Sequence, residues 1–72
     1  MNKKCKDYIL EVLKEFGSAG LAGGILEDRV REISIYKSST VSRVARDMAS
    51  NGKIQRGEFM AGRKKCVRYR VI

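Results

Sequence analysis

The spacing of apolar residues changes once along this chain, at Asn51-Gly52. Upstream, apolar side chains recur every three or four residues in three separate runs, as in helices buried on one face. Downstream, "KIQRGEF" and "CVRYRVI" alternate apolar and polar residues with period two, as in strands. A chain of 72 residues has room for one hydrophobic core, so three helices and two strands must share it. The predicted fold class is therefore α+β, a single domain over residues 1–72: a three-helix bundle followed by a C-terminal two-stranded β-hairpin.

In the first run Cys5, Ile9, Val12, Leu13 and Phe16 share one helical face, predicting a helix from about residue 3 to 16 with Cys5 in the core. Gly17 stands where a left-handed C-cap belongs. "GSAGLAGG" then reads as a flexible connection in which Leu21 can pair as a very short strand. It lacks the lysine and Ser/Thr of a phosphate-binding Walker loop. The second helix is "GILEDRVREI", with Leu26, Val30 and Ile33 on the core side, Ile25 beside them, and Glu27–Arg31 as an exposed i, i+4 pair. "SIYK" is a turn of about four residues. Within it Tyr36 has two readings, a turn filler or a phosphate contact.

The third helix, about 38–51, lies in "KSSTVSRVARDMASNGKIQRG". At roughly 100° per residue, Val41, Val44, Ala45, Met48 and Ala49 form one apolar stripe. Ser39, Arg43, Arg46 and Ser50 cluster within roughly 40° of the direction opposite Val41, with Ser42 at the flank. Ser38 is the expected N-cap, and Gly52 the left-handed stop. In the hairpin, Val67, Tyr69 and Val71 share one face and Cys66, Arg68 and Arg70 the other, with "MAGRKK" as the connecting loop. Ile54 points inward, which leaves Phe59 on the wrong face. A bulge at Gly57 is expected to correct it.

Charge divides as sharply as periodicity. Residues 1–36 carry six bases and six acids, whereas residues 37–72 carry ten bases and two acids, so the whole net charge of +8 sits in the second half. Cationic charge this one-sided repels itself and suits a polyanionic partner. The chain has no histidine, and Cys5 and Cys66 are too few and too far apart for a zinc or iron–sulfur site. No enzymatic activity and no cofactor are expected, and the two cysteines are expected to stay reduced. No apolar run approaches the ~18 residues of a membrane span. Acidic residues interrupt the apolar part of the basic N-terminus, unlike a signal peptide. No membrane partner is expected, and the expected location is cytoplasmic, beside the nucleoid in a bacterial, archaeal or viral setting.

The order helix, helix, turn, helix, strand, basic loop, strand resembles the winged helix-turn-helix family of DNA-binding domains over nearly the whole chain. The resemblance rests on "SSTVSRVARDMASNGKIQRGEF" followed by "KKCVRYRVI". It implies a third helix in the major groove of double-stranded DNA and a hairpin tip, the 60–65 wing, along the backbone. The family usually has a small residue and then a buried aliphatic one in the turn, and Ser34 and Ile35 fill those places here, in a turn one residue longer. Helix 2 also starts on Gly23-Gly24 rather than on Thr/Ser and an acid.

The residue chemistry points the same way. Short hydroxyls at a helix start let the backbone approach a sugar-phosphate chain, and arginine reads guanine bidentately. The expected contacts are Lys37, Ser38, Ser39, Thr40 and Ser42 at the helix start, Arg43 on a base, Arg46 on base or phosphate, and Arg63, Lys64, Lys65 and Arg68 from the hairpin. Within that reading the expected role is a small transcriptional regulator. The alternative is a winged-helix module binding protein or RNA, which calls for an apolar or acidic surface on the third helix. A monomer and a homodimer through the first helix are both compatible with the sequence.

Overall fold

The computed structural model of the chain describes residues 3–72. It contains three helices, α1 (Cys5–Phe16), α2 (Gly23–Ile33) and α3 (Ser38–Ser50), and three strands, β1 (Leu21–Ala22), β2 (Ile54–Ala61) and β3 (Lys64–Val71). The strands form one antiparallel sheet in the order β1-β3-β2, so the hairpin is joined by Leu21-Ala22. Among the described residues no helix is long and apolar enough to cross a membrane.

Each helix buries most of the stripe its periodicity marks, but Phe16, at the end of the α1 stripe, is 37% exposed rather than core. Cys5, Ile9, Val12 and Leu13 of α1, Leu26 and Val30 of α2, and Val41, Ala45 and Met48 of α3 meet Leu21, Ile54 and Tyr69 of the sheet in one core. Cys5 and Cys66 are free thiols, and burial pushes the Cys5 pKa up, keeping it protonated. At the start of α1 the Lys4 N–H donates to Asp7 Oδ2 at 2.9 Å, answering one of the N–H groups a helix start leaves unpaired. α3 ends as its Asn51-Gly52 sequence implies. Gly52 has φ +74°, its N–H donates to the Ala49 carbonyl, and the Lys53 N–H reaches back to the Met48 carbonyl at 2.8 Å.

Several expectations are corrected. Ser38 does not cap α3. Lys37 occupies the N-cap position without a side-chain cap bond, and Ser38 is the first helical residue, its Oγ accepting from Arg31 Nη1 at 3.3 Å. That reach toward α3 also draws Arg31 away from Glu27, and its nearest carboxylate is Asp28 at 4.0 Å. Ile33 and Ile25 of α2 are about half exposed rather than core. Ile35 is 95% exposed, and the turn is filled instead by Tyr36, whose ring packs 6.2 Å from that of Tyr8. The Ser34 side chain sets this arrangement: its Oγ donates to the Val30 carbonyl at 2.7 Å and accepts the Tyr36 N–H at 3.3 Å, closing α2.

The hairpin differs too. There is no bulge at Gly57, because β2 and β3 pair without interruption from Ile54–Val71 to Ala61–Lys64. Phe59 therefore stays on the sheet face away from the helices, where it is half buried under the Arg68 guanidinium, 5.2 Å from the ring centre. The connecting loop is two residues, Gly62-Arg63, rather than the six of "MAGRKK". Gly62 at φ +64° followed by Arg63 without positive φ has the pattern of a type II′ turn, whose twist suits a tight hairpin. Met60, Ala61, Lys64 and Lys65 are consequently strand residues, and Lys64 and Lys65 project from opposite faces.

Candidate nucleic-acid interface

α3 is held by Val41, Ala45 and Met48, which are 0%, 1% and 6% exposed. That anchoring turns Ser39, Arg43, Arg46 and Ser50 outward, and all four are exposed. Ser42 and Thr40 are half buried at the flanks. Lys37 is exposed at the helix start, where no side chain caps the first-turn N–H groups. Such groups are natural donors to an anion.

The sheet supplies the second wall. Ile54 is buried against the helices, so by alternation Arg56, Glu58 and Met60 of β2 and Lys65, Val67 and Tyr69 of β3 lie on that same face. The result is an open groove of about 560 Å³ between α3, the start of α2 and the hairpin, lined among others by Ser42, Arg46, Arg56, Lys64, Lys65 and Glu27. A smaller hollow brings Arg46 and Arg56 together with Ala49 and Ser50. Comparison of the chain with protein-family models, curated proteins and solved structures finds no match.

The structure thus brings Ser42 and Arg46 to the same groove as Arg56 and Lys65, with Arg43 and Ser39 on the adjoining ridge, Arg63 at the hairpin tip, and Lys64 at the groove's rim on the strand face turned away from it. It leaves Arg68 behind. That residue lies on the opposite sheet face, with Nη1 donating to the Ala19 carbonyl at 3.4 Å and its guanidinium over Phe59. Arg56 is the residue the sequence reading omitted. Its signal was available, since two residues on from inward-facing Ile54 is the inward face again, but its neighbourhood with Arg46 depends on how α3 docks.

Charge in the groove is uneven. Among the described residues no carboxylate lies within ion-pair distance of Arg43, Arg46, Arg63 or Lys64. Glu58 in contrast lies between Lys65 Nζ at 2.9 Å and Arg56 Nη1 at 3.7 Å. The hydrogen bond and charge of Lys65, then the charge of Arg56, hold its carboxyl below the usual range. Because its folded pKa is the lower one, this contact favours the folded hairpin above the ordinary carboxylate pKa and is lost as pH falls through the folded value. A carboxylate here also repels phosphate. On the reading of the groove as a duplex-DNA site proposed below, Glu58→Gln is therefore expected to tighten binding a few-fold at low salt by releasing Lys65 and Arg56, with a steeper salt dependence. Electrophoretic or fluorescence titration of both proteins on one duplex checks this, and weaker binding by the variant would contradict it.

Proposed function

We propose that this protein binds double-stranded DNA as a winged helix, with α3 in the major groove and the β2–β3 hairpin along the sugar-phosphate backbone, acting as a small transcriptional regulator. The observation that carries the reading is the shared groove, in which Arg46 of α3 and Arg56 and Lys65 of the hairpin converge although they come from separate elements. An exposed helix fits the width of the B-form major groove, and its arginines match guanine O6 and N7. The Arg43 ridge reads base edges, and Lys37, Arg63, Lys64 and Lys65 supply phosphate contacts. Duplex RNA is a poor match, because its A-form major groove is too deep and narrow for a helix. The α3 surface is cationic and polar, which disfavours a protein-binding role.

Titration of duplex DNA at increasing salt tests the reading. If about 4 to 6 phosphates are contacted, the logarithm of affinity falls against log salt with a slope near −4 to −5. No duplex binding at low salt refutes the proposal. Arg43→Ala is expected to cost about 1–3 kcal/mol and relax preference at one base position, whereas Lys64→Ala weakens all sequences alike. Selection of bound duplexes from a random pool, repeated with each variant, reads out both effects. Uniform loss in both variants would remove Arg43 from base readout.

A further inference from the structure

The outer edge of β2 has no partner among the described residues. β3 occupies the middle of the sheet, so one side of Ile54–Ala61 presents its main-chain N–H and C=O groups to solvent. Edges of this length are blunted by a proline, a bulge or charged side chains; the chain contains no proline and the β2 register is unbroken, so the charges of Arg56 and Glu58 are what stand at this edge. The two-residue turn fixes which groups are free. The Ala61–Lys64 pair must exchange both its hydrogen bonds, because no residue pair lies beyond it to do so. Bonded and non-bonded pairs then alternate, so Gln55, Gly57, Phe59 and Ala61 bond to β3, while Ile54, Arg56, Glu58 and Met60 direct their main-chain groups outward.

We propose that this edge pairs antiparallel with the same edge of a second copy of the chain, about a two-fold axis at Gly57, joining two three-stranded sheets into one. Only registers that oppose outward-directed residues make main-chain bonds. Centring on Arg56 or on Glu58 sets like charges against each other. Centring on Gly57 sets Arg56 against Glu58 of the partner subunit on both sides of the axis, and charge-complementary bonded pairs are favourable where like pairs are not. The same register lays Met60, 64% exposed in one chain, beside Ile54 of the partner subunit. Gly57 itself supports the choice of axis. Its φ is ordinary and a Cβ there would meet nothing within 4 Å, so the hairpin does not require glycine. A bare backbone at the axis suits the close approach of a non-bonded pair, about 4.5 Å between Cα atoms. The axis is perpendicular to the sheet, so both copies keep α3 on one side. The pairing does not depend on DNA binding.

Sedimentation velocity over a range of concentrations, without DNA, tests it. The wild-type protein is expected to pass from monomer to dimer as concentration rises. Glu58→Pro deletes one outward N–H while leaving the bonds to β3, and is expected to be monomeric with an unchanged circular dichroism spectrum. Arg56→Glu is expected to weaken the dimer roughly tenfold, and adding Glu58→Arg to restore it. The charge-exchange pair decides the matter if the proline variant does not fold. A wild-type protein that is monomeric throughout overturns the proposal. So does a dimer indifferent to Glu58→Pro, or a double variant no better than Arg56→Glu alone.

Discussion

Ile54→Ala is expected to lower folding stability by about 2–5 kcal/mol, the cost of a cavity at a fully packed aliphatic site. Ile54 is 2% exposed and is the one buried residue of β2. It follows the Lys53 N–H that closes the end of α3, so it is where the hairpin is seated on the helix. A domain of this length has a total stability on the order of 4–11 kcal/mol, so the loss is a large share of it. Denaturant unfolding should show a lower midpoint with an unchanged slope. Met60→Ala on the same strand, at a 64% exposed side chain, should change stability by no more than about 0.5 kcal/mol. Where the Ile54 variant is still folded, the DNA binding proposed above is expected to weaken as well, since Arg56 and Lys65 are then no longer fixed relative to Arg46. A loss of stability equal to that of Met60→Ala would mean that Ile54 does not seat the hairpin.

Gly20→Ala is expected to cost about 3 kcal/mol or more, through two effects that add. Gly20 has φ +68° and ψ −172°, a region open essentially to glycine alone. A Cβ built there would also collide with the Tyr69 carbonyl oxygen and lie 2.9 Å from Arg70 Cβ. The obstacle is β3 main chain, which cannot step aside without breaking the Leu21–Tyr69 and Ala22–Arg68 pairing. Thermal unfolding of Gly20→Ala beside Gly24→Ala separates this from a general glycine effect. Gly24 has open space around it and no positive φ, and as a helical residue should gain from alanine. Equal stabilities for the two variants would contradict the close approach of the 17–20 turn to β3.

Much of the candidate interface was legible because α3 is strongly amphipathic. Once Val41, Ala45 and Met48 are assigned inward, Ser39, Arg43 and Arg46 have one direction left. The Gly52 stop, the core positions Cys5, Ile9, Val12 and Leu13 of α1 and the inward Tyr69 were readable for the same reason, whereas Phe16, at the end of that stripe, is exposed. Phe59 was misread because parity was made to serve burial. The expected bulge would have hidden an aromatic ring, whereas the structure shields that ring on the outer face with Arg68. Ile35 failed similarly, since a turn's apolar residue has no periodicity to orient it. The Ser34 hydroxyl bridge chose Tyr36 instead.

The sequence by itself determined the three helices and the hairpin, most of the core stripe of each helix and the concentration of positive charge after residue 36. Those properties follow from spacing within one segment and need no knowledge of its neighbours. Only the tertiary structure decided that Arg56 stands beside Arg46, that Arg68 faces away from α3, that the hairpin turns on two residues and that β2 is left as an open edge. Each of these depends on which segment docks against which, and in what register. A periodic pattern defines a face but does not say what that face meets.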